Sequence, residues 1–252
     1  TNLIFKNINL VLAVDELQAE TFKELGAKNV EVFGSLKVSS PPKKPNLDLV
    51  KKIQAASNSR KIIVAASTHK KEEKLIIESI DILREKNIHC LLIIAPRHIS
   101  RGQEINNHYK LNSKMRSKNE LPNNKDNIWI ADSYGEMASL FESCDIAFIA
   151  GSLIPKGGHN PSEPCYFNCG IIIGPHISKC KETVSEMQSH NAIIKLNESG
   201  DLSEELSDAF YKLCNNTNLR NQMSSSAFKM TKIWKKRRFY AANKCMSFLS
   251  KS

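Results

Sequence analysis

The chain has 252 residues, 41% of them hydrophobic, and a formal net charge of +10. That is enough apolar material for one large core or two smaller ones. Its apolar runs, the longest near residues 91–95, are too short to cross a bilayer as a helix. The basic excess favours anionic partners: phosphates, nucleic acid or an acidic membrane face. Seven cysteines form no C-x-x-C pair, and Cys165, Cys169, His176 and Cys180 match no common zinc spacing, so no metal site is expected. The expectation is reduced thiols, several of them buried. No signal peptide is visible and the first residue is Thr1, so the chain is expected to begin at an internal point of a longer protein.

In chain order, residues 8–14 (INLVLAV) read as a buried strand. Asp15 is placed to cap the helix ELQAETFKEL, and Gly26 ends it. Residues 30–33 form the next strand, closing a βαβ unit at Gly34-Ser35-Leu36-Lys37. The run VSSPPKKPN then reads as a linker. Beyond it strands and helices alternate. A helix spans 47–57, and a strand spans 61–66 and ends in Ser67-Thr68-His69. The helix at 71–86 carries Ile76, Ile80 and Leu83 on one face. A strand at 90–95 ends in Pro96-Arg97-His98, and a helix follows at 99–108. The lysine-rich stretch 110–127 holds a short strand near Lys114. A strand at 128–131 and a helix at 135–143 come next.

The central stretch is DIAFIAGSLIPKGGHNPSEPCYFNCGIIIGPH, residues 145–176. A strand at 146–150 leads into a loop with Gly151, Gly157 and Gly158. Asn160 is placed to cap a helix, Pro161 fits its first turn, and Glu163 stands where the helix dipole favours an acid. A second apolar run follows at 171–173. Strand, glycine loop and helix start would offer free N–H groups to an anion, usually a phosphate. Glycines alone fit a plain βα connection equally well. Helices are expected at 181–189, 202–214 and 217–232, with a strand at 192–196 and no internal repeat. In the final helix Trp234, Ala241, Cys245 and Phe248 share a face. Its basic run beside aromatics suits an anionic membrane surface.

The alternation implies a Rossmann-like parallel sheet with helices on both faces. Such sheets bind ligands at the carboxyl ends of their strands, at the switch point. Every motif above follows a strand, so all converge on one rim. Arg97 offers a planar fork for a phosphate, a carboxylate or a base edge. Ser67 and Thr68 either bind an anion or cap a helix. His98 caps or packs. Gly157 and Gly158 permit close backbone approach. Ser152, His159 and Asn160 can donate to an anion, and His159 can instead bond a loop carbonyl. Glu163 can accept two sugar hydroxyls or serve the helix dipole. Met137, beside Gly135, packs on a base or in the core.

GSLIPKGGHNPSEP followed by GPH resembles the signature of the 3-deoxy-D-manno-octulosonic acid (Kdo) transferases. Ser67-Thr68-His69 and Pro96-Arg97-His98 agree in order and spacing. Asp132-Ser133-Tyr134-Gly135-Glu136-Met137 resembles the family's D-x-x-G-E-L. The resemblance covers nearly the whole chain but only the back portion of a full-length member. It implies the C-terminal half of a glycosyltransferase-B fold. Residues 1–37 would be the remnant of an N-terminal acceptor domain, 38–45 a linker, and 46–232 the nucleotide-sugar donor domain. Residues 233–252 would form a helix crossing back to the remnant.

The implied activity is transfer of Kdo from CMP-Kdo to lipid A precursor in bacterial lipopolysaccharide biosynthesis. It would take place at the cytoplasmic face of the inner membrane, with peripheral contact to its anionic surface. The resemblance marks Lys37, Ser67, Thr68, Arg97, Gly135 and Met137 as substrate-binding, with Gly151, Ser152, Gly157, Gly158, His159, Asn160 and Glu163 in the central stretch. It implies no cofactor and no metal. The catalytic base is expected in the N-terminal half, so no residue here takes that role and the chain alone is expected to be inactive. Ser35, Ala150, Asn168, Gly170 and Lys179 depart from the family pattern. Asn168 is expected to keep a left-handed turn. Alternatives are a transferase for another nucleotide sugar, or a basic nucleic-acid-binding module without activity. The second conflicts with scattered basic residues and the lack of a zinc-finger or RNP-like run, so no nucleic-acid partner is expected.

Overall fold

The structure is a computed structural model and describes residues 5–198 and 200–249. Residues 1–4 of the first expected segment and 250–252 of the last lie outside the described residues. The chain divides into two compact units, residues 1–41 with 229–252, and residues 42–228.

In the smaller unit, β1 (Val11–Ala13) and β2 (Val30–Val32) pair in parallel around α1 (Glu16–Glu24). The Asp15 carboxylate caps α1, accepting the Gln18 N–H at 2.7 Å. Leu36–Ser39 form a 3-10 turn that begins with Ser35 Oγ accepting the Lys37 N–H. The end of the last helix belongs to this unit. There Tyr240 stacks on Phe33 at 5.7 Å, and Lys244 pairs with Glu31 at 2.8 Å. Gly34 has φ +82°, and a Cβ on it would lie 2.6 Å from the Arg237 guanidinium. Trp234 and Ala241 are buried, but Cys245 is exposed, so the apolar face read from sequence does not extend to that turn. The Phe248 side chain lies outside the described set.

The larger unit is a seven-stranded, all-parallel sheet. Its strands are β3 (Lys61–Thr68), β4 (Cys90–Pro96), β5 (Lys114–Met115), β6 (Ile128–Ile130), β7 (Ile146–Ile149), β8 (Gly170–Ile173) and β9 (Ile194–Lys195). The spatial order is β5-β6-β4-β3-β7-β8-β9. The chain leaves β3 towards β4 and β6, then returns to β7 on the other side. The switch point therefore lies between the carboxyl ends of β3 and β7.

The helices are α2 (Leu47–Ser57), α3 (Glu72–Glu85), α4 (Gly102–His108), α5 (Met137–Ser143), α6 (Lys181–Ser189), α7 (Leu202–Asn215) and α8 (Thr217–Leu249). Helix α3 packs on α7 over one layer of core, where Ile76, Ile80 and Leu83 meet Ile63, Phe148 and Phe210. Each such fully buried side chain contributes about 1.5–3 kcal/mol. Helix α2 packs on α5, where the Asn46 N–H donates to Ser139 Oγ. Helix α8 is one continuous element of 33 residues, where the sequence suggested a break near 232. No glycine or proline interrupts 217–249, so nothing in the chain ends the helix there.

Candidate functional site

The glycine loop after β7 forms a nest of backbone N–H groups, but the protein's own carboxylate fills it. Glu72, in the first turn of α3, accepts from Gly151 at 2.8 Å, Ser152 at 3.0 Å and Leu153 at 2.9 Å. The His69 N–H adds a fourth bond at 3.3 Å. Glu72 is fully buried, and burial pushes its carboxyl above the ordinary value while the four donors oppose that shift. Ser152 is also fully buried: its hydroxyl donates to the Ile149 carbonyl and accepts the Gly174 N–H. The Gly151 amide and the Ser152 hydroxyl thus face the interior.

No α-helix follows this loop. Asn160 Oδ1 closes a turn by accepting the Ser162 N–H at 3.1 Å, and Pro164–Tyr166 form one 3-10 turn. Prolines at 161 and 164 remove two N–H donors, and β8 begins at Gly170, which leaves no room for further turns. Gly157 and Gly158 are glycine for an internal reason. A Cβ on Gly157 would meet Ser178 Oγ at 2.7 Å, and one on Gly158 the His176 carbonyl at 3.0 Å. Asn168 is not left-handed; its side-chain oxygen accepts from Ser224 Oγ at 2.7 Å.

Thr68 is buried and donates to Glu73, itself buried and paired with Arg101. Asp132 accepts the Ser117 N–H and hydroxyl at 2.8 and 2.7 Å. These groups brace the rim rather than face solvent. Ser67, Arg97, Gly135 and Met137 instead line one small pocket of about 110 Å³. Gly135 has φ +82° and open space around its Cα, so a ligand can approach the backbone there. Glu136 forms the pocket's edge. Burial pushes its carboxyl up, but the paired bonds from Arg116 at 2.8 and 2.9 Å, with Ser133, hold it below the ordinary value. Arg97 is exposed, and its backbone N–H is anchored to the Thr68 carbonyl. Among the described residues its guanidinium has no hydrogen bond or ion pair.

Beside this pocket His159 meets His69, Nε2 to Nε2 at 2.8 Å. Burial, then the charges of Lys156, His98, Arg101 and Arg97, lower the His69 pKa. Burial, then His69, Arg97 and Lys179, push His159 down to about 4. Both rings therefore sit in a positive field suited to an anion. Glu163 lies four residues past His159, half-buried. Burial raises its pKa, and among the described residues its carboxylate has no partner. An acceptor left unsatisfied and partly desolvated is suited to a ligand that supplies hydroxyl donors. Asn160 is exposed. Lys37 belongs to the smaller unit, exposed on its 3-10 turn.

Glu72, Glu73, Arg101 and His69 carry much of this arrangement, and none was singled out from sequence as a site residue. A signal was present for one of them. Glu72 stands four residues before Ile76, which puts an acid on the apolar stripe of α3. Among the described residues no cluster of three or more His, Cys, Asp or Glu could hold a metal, and no helix is long and apolar enough to cross a membrane.

The switch-point rim and parallel sheet define the class: the C-terminal half of a glycosyltransferase-B fold. Solved structures of that class are similar to this chain. The HepE protein of Anabaena in complex with UDP superposes over 98% of this chain and 66% of its own, with TM-score 0.63 at 12% identity, a likeness of fold. The C-terminal CMP-Kdo binding domain of WaaA from Acinetobacter baumannii matches 73% of this chain and 98% of its own, with TM-score 0.64 and 25% identity. No family model matches the chain. Curated relatives do: the Kdo transferase of Rickettsia typhi is 33% identical over 207 residues, 81% of this chain and 45% of the relative. That of Haemophilus influenzae is 29% identical over 90% of this chain and 54% of its own length. The chain is thus a relative of the Kdo transferases and spans about half the length of those it matches.

Proposed function

We propose that the chain is the donor-binding portion of a glycosyltransferase that moves Kdo from CMP-Kdo to lipid A precursor in lipopolysaccharide biosynthesis. The observation that carries this reading is Glu163, a half-buried carboxylate without a partner among the described residues, beside a cationic rim. In this reading Glu163 accepts the ribose hydroxyls. Ser67, Arg97, Gly135 and Met137 hold the cytosine, with the Arg97 fork on its acceptor edge. His159 and Asn160, with Lys156 and Lys179, take the phosphate and the sugar carboxylate. Lys37, on the 3-10 turn of the smaller unit, is a further candidate for an anionic ligand. Thr68, Gly151, Ser152, Gly157 and Gly158 act as framework.

The WaaA domain similar to this chain is described as binding CMP-Kdo, which supports the choice of nucleotide. Residues 1–37 would be the end of an acceptor domain, 38–45 a linker and 46–232 the donor domain, with 233–252 returning to the first. The catalytic base and the acceptor site would belong to the remaining length of such an enzyme. The basic run of the last helix, with exposed Phe239 and Tyr240, would rest on the anionic cytoplasmic face of a bacterial inner membrane. Saturation-transfer NMR with CMP tests the donor site. The ribose protons should receive the strongest transfer, and Glu163→Ala should weaken it. Equal transfer to a cytosine-free ribose phosphate would defeat the cytosine assignment.

A further inference from the structure

His69 makes a close side-chain contact across the switch point. Its Nε2 lies 2.8 Å from Nε2 of His159, and the rings are nearly coplanar, 5° apart with centroids at 5.0 Å. Two ring nitrogens at that distance share one proton: one ring donates an N–H, and the other accepts on a bare nitrogen. A second proton would set two N–H groups against each other, so the contact requires one bare nitrogen. Gly151 makes room for the pair. A Cβ there would stand 2.9 Å from His159 Cδ2 and 3.4 Å from His69 Cδ2.

The surroundings keep the pair in this form. Arg97 and His98 face it from the end of β4, Arg101 from the turn beyond, Lys156 from the glycine loop and Lys179 from the segment after β8. The acid beneath it, Glu72, is spent on backbone N–H groups. An anion placed among these groups would offset the cations and supply acceptors, so it would favour the charged form of an imidazole.

Resting on the donor-site reading above, we propose that His69 is a further ligand-contacting residue and that it works as a pair with His159. When an anionic phosphodiester donor binds, the pair takes up one proton from solvent and its N–H···N bond opens. Each Nε2–H then donates to a donor oxygen. The only bond made is N–H, and the proton returns to solvent when the ligand leaves.

The probe is the methyl ester of CMP, a phosphodiester without a second phosphate ionisation near neutral pH. The chain is isotope-labelled at the histidine ring nitrogens and titrated to saturation. The free chain should show one bare Nε2 in the pair, and the saturated chain none. Because binding takes up a proton, affinity should rise as pH falls, by up to about tenfold per unit between about pH 7.5 and 6. His69→Gln should flatten that slope. A bare nitrogen persisting at saturation, or the same slope in the variant, overturns the proposal while leaving the donor site standing. No saturable binding at all defeats the donor-site reading, and the pair's role with it. If His69→Gln does not fold, the nitrogen spectrum of the unsubstituted chain decides.

Discussion

Replacing Glu72 with Gln changes one atom of the carboxylate that holds the glycine loop. Oε1 accepts from Ser152 and Leu153, and Oε2 from Gly151 and His69. A glutamine keeps one acceptor oxygen and turns an NH₂ towards the other two donors. Each buried N–H left unpaired costs about 1–3 kcal/mol, so the gross loss is roughly 2–6 kcal/mol. The amide avoids the cost of burying a charge, which offsets part of this, so we expect a net loss of about 2–4 kcal/mol. Urea unfolding is the assay, in a Trp234→Phe background so that buried Trp129 reports on the larger unit. Amide exchange at residues 151–153 should accelerate in parallel. An unchanged unfolding midpoint with unchanged exchange would refute the bracing role. The pH dependence has a fixed sign. The folded carboxyl is raised above its unfolded value, so the folded state holds the proton more tightly. Glu72's contribution is then fully present below the unfolded value and declines as pH rises through the folded one. The advantage of Glu72 over Gln should shrink over that interval.

Three further outcomes follow from the geometry. Glu163→Ala should weaken CMP binding by about 1–3 kcal/mol, the scale for a lost bond to a charged group, and calorimetry reads it directly. Unchanged affinity would remove the ribose role. Because burial raises the Glu163 pKa, affinity for the methyl ester of CMP in the His69→Gln background should fall on acidification through that raised value; a pH-independent affinity there would contradict the assignment. Removing residues 234–252 deletes the Tyr240 ring and the Lys244 ammonium, so amide protection in residues 11–32 should drop. Protection that stays unchanged would show that the Phe33 stack and the Glu31 pair add nothing to the smaller unit.

Most of the sheet was legible because its strands are short apolar runs bounded by turn residues. Residues 47–57 and 181–189 form helices with the limits their patterns suggest. The site was legible at the level of loops and less so at the level of atoms. The glycines and the Asn-Pro pair announced a turn, but they could not show that a carboxylate 79 residues earlier would fill its amide nest. That contact is non-local, and a Lys-Lys-Glu-Glu run reads as a solvated helix start. The helix expected after Asn160 failed for a local reason: Pro161 suits a first helical turn, but Pro164 three residues on removes a second N–H donor. Thr68 could not be judged either: its partner Glu73 stands only five residues on, but that acid is buried and paired with Arg101, 28 residues further along.

The most direct test of the donor site is a pair of calorimetric titrations of the chain, with CMP and with UMP. If Arg97, Gly135 and Met137 hold cytosine and Glu163 its ribose, CMP should saturate one site and bind more tightly than UMP. Equal affinity for the two nucleotides would contradict the cytosine pocket, and no saturable binding of either would contradict the donor site itself.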